Sequence, residues 1–146
     1  MSPEAAALAD GIDAALPGWV ERCVARLTTA WAGSVPAAVT AAAASAGQRA
    51  REDIMPAIRT LLATDIDEQA TTPLAVLRGA VRYPTEVLAA AGVPPVRRDA
   101  FVERAFPDDV YDLSPATFAD VAPDLGDLGL RWGAAKALEH LRRHRS

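Results

Sequence analysis

The residues of this chain that could most directly do chemistry are three aspartates in the stretch DDVYD, at positions 108, 109 and 112. On a helix, Asp108 and Asp112 would share a face because they are four residues apart, and Asp109 would lie beside them. Carboxylate oxygens are ligands that Mg²⁺ takes in proteins, often together with the phosphates of a substrate. The spacing is therefore compatible with a magnesium site that holds a phosphorylated ligand.

The same five residues resemble the aspartate-rich motif of isoprenoid synthases, in which such carboxylates bind magnesium that bridges a substrate diphosphate. The resemblance implies an all-helical enzyme with a second metal-binding motif across the cavity. This chain has no second DDxxD motif and no Asn, and Pro107 and the Ser114-Pro115 pair leave space for at most one or two turns of helix. We therefore interpret the aspartates as residues that favour the N-terminus of a short helix, where negative charge is stabilising.

The two histidines, His140 and His144, stand four residues apart, a spacing at which a helix can offer two imidazoles to one metal ion. The motif HLRRH lacks the glutamate of a metalloprotease helix, and Arg142, Arg143 and Arg145 surround it with positive charge. Cations near a helix C-terminus are favourable with the helix dipole. We therefore expect no metal site.

Cys23, the only cysteine, is a candidate nucleophile. Both histidines lie more than a hundred residues away in sequence, and nothing nearby would lower the pKa of the thiol. After Leu16-Pro17-Gly18 the chain instead shows one apolar stripe at helical spacing, made of Val20, Cys23, Val24, Leu27 and Trp31. We expect a buried structural thiol.

The glycine-rich stretch GDLGLRWG, residues 126–133, has neither the GxGxxG spacing nor the GK[ST] ending of phosphate-binding loops. We expect it to be the entry to the last helix, with Asp127 as the cap and Trp132 docked in the core. No cofactor is expected here or elsewhere in the chain.

Charge is distributed unevenly in this chain of net charge −4. Six aspartates and no base lie between Arg104 and Arg131, whereas residues 131–146 hold five bases against Glu139 alone. The acidic remainder would repel a phosphate backbone, and the basic tail has no interleaved aromatic residues. We expect no nucleic-acid partner, and the tail could instead lie against the acidic stretch, within one chain or between two.

No membrane span is expected. The uncharged run from Leu27 to Gln48 consists mostly of Ala, Ser, Thr and Gly with Pro36 in its middle, which is less apolar than a spanning helix needs. The N-terminal MSPEAAALADGID has no basic n-region before an apolar core and does not predict a signal peptide. With one cysteine and no intramolecular disulfide, we expect a soluble cytosolic protein.

Helical periodicity and proline punctuation dominate the chain. Capping residues precede proline at Ser2-Pro3, Thr72-Pro73 and Ser114-Pro115, which predicts three helix starts. A long helix is predicted from Pro36 to about Asp65, with a kink or restart near Asp53 because Pro56 removes a hydrogen bond. A further helix runs from Pro73 towards Ala91, interrupted at Tyr83-Pro84 and stopped at Gly92.

This pattern predicts an all-α fold with no sheet. Residues 1–146 are expected to form a single domain, a compact bundle of about six or seven mostly short helices, several crossing at steep angles. The segments AVRYPTEVL, AGVPPVRRDAF, FPDDVYDLSPATFAD and LRWGAAKAL resemble those of small uncharacterised helical proteins of high-GC bacteria. That resemblance implies a cytosolic all-helical domain and carries over no activity and no site residues.

The leading functional prediction is a protein-interaction or regulatory accessory module with no catalysis of its own, whose partner is another protein or a second copy. The alternative is a small-molecule-binding protein or an enzyme whose polar groups converge only in the fold. The candidates for that site are Asp108, Asp109, Asp112, Tyr83 and Arg98. A deep pocket lined by these residues would favour the alternative, and an exposed apolar patch would favour a protein partner.

Overall fold

In the computed structural model, the described residues are 1–64, 71–96 and 109–143. Helices account for 79% of them, and within these ranges there is no strand, which confirms the all-α prediction. The helices are α1 (Pro3–Ala32), α2 (Ala37–Ala63), α3 (Pro73–Arg78), α4 (Arg82–Ala90) and α5 (Pro123–Arg143), with 3₁₀ helices η1 (Gly79–Val81) and η2 (Phe118–Asp120). No helix in the described part of the chain is long and apolar enough to cross a membrane.

The predicted number of helices was wrong. Because α3, η1 and α4 follow one another without a break, the described residues contain four main helical segments rather than six or seven. Three of them are long, with 30 residues in α1, 27 in α2 and 21 in α5. The prolines therefore interrupt the chain less often than their number indicates.

Two of these prolines lie inside helices. Pro17 falls within α1 and Pro56 within α2, and both helices continue past them, so the predicted restart near Asp53 does not occur. An interior proline costs one backbone hydrogen bond and adds a steric clash, roughly 3 kcal/mol. The buried side chains on either side of each proline, such as Leu16 and Val20 in α1, gain more by staying in the core. Tertiary packing thus overrides the local preference of proline.

Several predicted helix ends are confirmed. The Ser2 hydroxyl accepts from the Ala5 N–H at 3.2 Å, and the Thr72 hydroxyl accepts from the Ala75 N–H at 3.1 Å. Gly92 ends α4 in the left-handed region, with φ at 80°. The interruption predicted at Tyr83-Pro84 does not occur there: the helical path changes earlier, in the 3₁₀ turn η1 at Gly79–Val81, and Pro84 lies in the first turn of α4, where a missing N–H is tolerated.

The helix start predicted at Ser114-Pro115 was wrong. Residues 112–117 are not helical, and the cap belongs to Thr117, which forms a capping box with Asp120 around η2. The start predicted at Asp127 was also wrong, because α5 begins at Pro123. Asp127 lies inside that helix and pairs with Arg131 at 2.8 Å.

The core lies where α1 and α2 pack along each other, with α4 and α5 against them. Where α2 passes Pro17 of α1, a Cβ on Gly47 would lie 2.9 Å from the Cα of Pro17, so only glycine fits there. Outside the core, Asp13 joins the two helices by ion pairs to Arg59 at 2.9 Å and Arg51 at 3.5 Å. Trp31, predicted to continue the apolar stripe of α1, is instead 54% exposed.

Helix α5 is held against the bundle by one face. Leu125 is fully buried, while Leu128 and Trp132 are partly buried against the core, which agrees with the predicted docking of Trp132. Gly126 and Gly129 of the glycine-rich stretch let η2 lie close, since a Cβ on Gly129 would meet the Phe118 ring at 2.7 Å. The glycines therefore serve packing inside a helix, not its entry.

Candidate functional site

The DDVYD stretch forms a turn around a buried carboxylate. Asp109 is 5% exposed, and its two carboxylate oxygens accept from the backbone N–H groups of Leu113 and Ser114, each at 2.8 Å. Its carbonyl oxygen accepts from the Asp112 N–H at 3.2 Å, which closes the turn. Both oxygens that could bind a metal are thus engaged by the backbone, so Asp109 positions the loop after it.

Of the two aspartates of this motif that the structure describes, Asp112 is the exposed one. It has φ at 57°, in the left-handed region that Asp tolerates better than most residues, and it lines a cleft. Its two predicted companions, Asp108 and Arg98, lie outside the described residues.

Tyr83 lies away from the cleft that Asp112 lines. It is buried, and its hydroxyl donates to the Asp53 carboxylate at 2.6 Å while accepting from the Arg82 guanidinium at 2.7 Å. The same guanidinium lies 4.8 Å from the centre of the Tyr83 ring. Burial raises the pKa of Tyr83, and so does its hydrogen bond to Asp53. Tyr83 therefore ties α4 to α2 and does not line the cleft with Asp112.

The cleft has a volume of about 650 Å³ and lies between α1 and the loop 112–120. Helix α1 contributes Trp19, Arg22, Cys23 and Arg26, and the loop contributes residues 112–116 and Asp120. Sequence reasoning named Asp112 and Cys23 but missed the arginines, because only the fold brings residues 22 and 26 beside the loop.

Two of the charged groups in the cleft hold the loop in place. The Arg22 guanidinium donates to the Val121 carbonyl at 2.6 Å, and the Asp120 carboxylate accepts from the N–H groups of Ala116 and Thr117 at 2.8 and 2.9 Å. Arg26 makes no hydrogen bond or ion pair with any described residue. Among the described residues, Arg26 is therefore a cation of the cleft that does not hold the loop in place.

The Cys23 thiol is a poor nucleophile in this setting. It is 7% exposed, and burial raises its pKa to about 11, against the opposing influence of Arg26 and Arg22. The thiol therefore stays protonated at neutral pH. The prediction that Cys23 is buried in the apolar stripe of α1 is confirmed.

The second of the two histidines, His144, lies outside the described residues, and His140 is exposed on α5. Over the ranges that the structure describes, no three His, Cys, Asp or Glu side chains form a group that could hold a metal ion.

Within residues 1–64, 71–96 and 109–143, the most exposed apolar surface is on α5. Leu130 is 75% exposed, Leu138 50% and Leu141 65%. They lie on one side of the helix, about half a turn away from Leu125 and Trp132, which face the core. The small exposed residues Gly133, Ala134 and Ala137 share this side. We name these six residues the leucine face.

Sequence reasoning did not single out the leucine face. Helix α5 has apolar residues on two opposite sides, and periodicity alone does not say which side contacts the bundle. The signal that could have found the face is the spacing of Leu130, Leu138 and Leu141 out of phase with Leu125 and Trp132.

Comparison with known proteins gives no relative. No protein-family model matches the chain, and no curated protein and no solved structure matches it.

Proposed function

We propose that this chain is a soluble cytosolic protein-interaction or regulatory module without catalysis of its own, and that the leucine face is its docking surface. The observation that carries the proposal is the exposure of three leucines on one side of one helix. Five large hydrophobic residues are prominently exposed in the described ranges, and three of them belong to this face. Single exposed leucines are ordinary, but a contiguous group marks a contact surface.

The shape of the face favours a helical partner. Its residues span positions 130–141, about 16 Å along the helix axis, and form a narrow stripe. A stripe of this kind fits the apolar side of another helix, as in helix-in-groove recognition. Burying a fully exposed leucine contributes about 1.5–3 kcal/mol, so three leucines supply enough for a moderate affinity.

A second candidate function is the binding of a small molecule in the cleft, with or without chemistry. It is favoured by one observation, that Asp112 and the uncommitted Arg26 both line the cleft. Asp109 supports such a site by positioning the loop rather than by contacting a ligand. Melting curves with and without magnesium and diphosphate test this candidate. A rise in melting temperature that Arg26→Ala removes would favour it over the docking function.

The docking function is tested by photo-crosslinking in living cells. A photo-reactive, apolar phenylalanine analogue replaces Leu141 on the face, or Ala57 on the exposed side of α2 as a matched control. We expect a discrete protein adduct from position 141 and none from position 57. Equal and weak labelling from both positions would contradict the proposal.

A further inference from the structure

We infer that the cleft between α1 and the loop 112–120 binds the phosphate group of a small ligand directly through Arg22 and Arg26, without a metal ion. The ligand is a phosphate monoester that also carries hydroxyl or amino groups. The inference rests on the second candidate function and names its ligand, and it is independent of docking at the leucine face.

The loop side of the cleft is fixed within the chain. The N–H groups of residues 112–114 donate to Asp109, and those of residues 116–117 donate to the Oδ2 atom of Asp120. Pro115 has no N–H to donate. Every backbone donor of this stretch is therefore engaged, so an anion in the cleft must be bound by side chains. A wall that is already ordered also lowers the entropic cost of binding.

Two arginines hold carbonyl oxygens of the same loop. Arg78 of α3 donates to the Pro115 carbonyl at 3.1 Å, and Arg22 of α1 donates to the Val121 carbonyl at 2.6 Å. A Cβ on Gly18 would lie 3.1 Å from the Nη1 atom of Arg22, so the guanidinium lies close to the surface of α1. Glycine inside a helix is less favourable than alanine, and here it leaves space for this side chain. Arg22 is thus held in position beside the cleft.

Arg26 lies one turn further along α1 and lines the same cleft. Neighbours three or four positions away on a helix are those that could pair with the two arginines. None of them is acidic: they are Gly18, Trp19, Cys23, Ala25, Thr29 and Ala30. Two like charges one turn apart repel each other, and a bound dianion would remove that repulsion. Both guanidinium groups also oppose the rise in the pKa of the Cys23 thiol, so their positive potential reaches the same side of the cleft.

A phosphate monoester matches the hydrogen-bond donors on this side. A guanidinium has five N–H donors, and among the described residues only the Val121 carbonyl accepts one from Arg22, while none accepts from Arg26. The Ser114 hydroxyl also lines the cleft and makes no hydrogen bond with a described residue. A phosphate offers three acceptor oxygens and nearly two negative charges, and arginine binds it in a bidentate manner. Two guanidinium groups therefore match one phosphate in charge and in acceptors.

The opposite wall favours hydrogen-bond donors on the rest of the ligand. Asp112 and Asp120 line the cleft from the loop, and Arg26 forms no ion pair with either of them. The Oδ1 atom of Asp120 accepts from no described residue, so it is available to a hydroxyl or ammonium group. The volume of about 650 Å³ is in the range of small-molecule sites. A ligand with a phosphate at one end and donors at the other satisfies both walls.

Isothermal titration calorimetry of the full chain in the presence of EDTA tests the inference. We expect glycerol phosphate to bind with a dissociation constant on the order of 0.1–1 mM. Inorganic phosphate should bind several-fold more weakly, because it lacks the hydroxyl groups that reach the loop. Arg26→Ala should weaken both at least tenfold, since a charged bidentate contact is lost. Arg49→Ala, which removes an exposed arginine of α2 away from the cleft, should leave both unchanged.

Three results would overturn the inference. They are no binding of either phosphate compound, equal binding by the wild type and Arg26→Ala, and binding of acetate as tight as that of inorganic phosphate. Circular dichroism checks that Arg26→Ala retains the fold, which we expect because the side chain is exposed.

Failure of this inference and failure of the functions proposed above give different results. If a phosphate compound binds only when magnesium replaces EDTA, the second candidate function stands and direct binding by arginine is wrong. If none binds under either condition, the inference and the phosphate ligand both fail. Leu138→Gln should leave phosphate binding unchanged, so the docking function stands or falls by its own crosslinking result.

Discussion

The Lys136 ammonium donates to the carbonyl oxygen of Thr64 at 3.2 Å, so the buried side of α5 is tied to the C-terminal end of α2. The Lys136 side chain is 9% exposed and also lies 3.7 Å from Glu139. A cation at the C-terminal end of a helix donates to one of its last carbonyls and is favourable with the helix dipole. This contact acts together with the packing of Leu125 and Trp132, and the leucine face lies on the other side of the helix.

Replacing Lys136 with methionine keeps the length of the side chain and removes its hydrogen bond. We expect Lys136→Met to lower the free energy of unfolding by about 1–2 kcal/mol, because a carbonyl at the end of α2 loses a charged donor. Urea unfolding measures the change. Arg131→Met, which breaks only the exposed pair with Asp127, is the control and should cost no more than about 0.5 kcal/mol. Equal costs would show that the contact with Thr64 contributes no more than an exposed ion pair.

Asp109→Asn tests the turn around the buried carboxylate. Asparagine offers one acceptor oxygen, and its amide N–H₂ would face a backbone donor, so one of the two N–H groups of Leu113 and Ser114 loses its partner. We expect a loss of about 1–3 kcal/mol in thermal or urea unfolding. The loss should be the same with and without magnesium and diphosphate. A stabilised variant that has lost a magnesium-dependent rise in melting temperature would instead indicate a metal site.

Thr117 and Ser114 provide a matched comparison of caps. Thr117→Ala should lower the free energy of unfolding by about 1 kcal/mol, because the Thr117 hydroxyl caps η2. Ser114→Ala should cost less than about 0.5 kcal/mol, because no helix begins after it. Denaturant titrations measure both losses. If Ser114 were the cap, Ser114→Ala would show the larger loss of stability.

The raised pKa of Cys23 predicts a pH effect. The unfolded thiol ionises near pH 9.0, whereas the folded thiol keeps its proton to about pH 11. Its contribution to stability is therefore present below pH 9 and is lost between pH 9 and pH 11, amounting to about 2–3 kcal/mol. Cys23→Ala should lose correspondingly less stability over that interval. If the free energies of unfolding of the two proteins change with pH in the same way, burial does not keep the thiol protonated.

Local signals in the sequence predicted part of the fold. Ser2 and Thr72 were recognised as caps because the cap and its acceptor N–H lie within one turn. Cys23 was recognised as buried because its neighbours repeat at helical spacing. The continuation of helices through Pro17 and Pro56 was not predictable in this way, because it depends on burial against other helices.

The candidate site was less predictable for the same reason. The Asp109 carboxylate accepts from the N–H groups of residues 113 and 114, so these groups need no helical acceptors. The spacing of the carboxylates in the sequence does not predict this arrangement. Arg22 and Arg26 reach the loop only because α1 passes beside it. A last helix was predicted from its entry at residues 126–133, but only the packing of α5 shows which apolar side is left exposed.

If the leucine face is a docking surface, its leucines contribute little to the stability of the isolated chain. At low protein concentration, Leu138→Gln should change the free energy of unfolding by less than about 0.5 kcal/mol, since the side chain is 50% exposed. Leu125→Ala, at a fully buried position of the same helix, should cost about 2–5 kcal/mol. Urea unfolding of the two variants measures both. A large cost at position 138 would place this leucine in the core.

The yield of the photo-crosslinked adduct from position 141 tests the central claim most directly. It is compared between the chain with its other leucines intact and the chain carrying Leu130→Gln and Leu138→Gln. The docking function predicts a discrete adduct in the first case, and a loss of at least tenfold in the second while the fold is retained by circular dichroism. An adduct of equal yield in both chains, or no adduct in either, would contradict it.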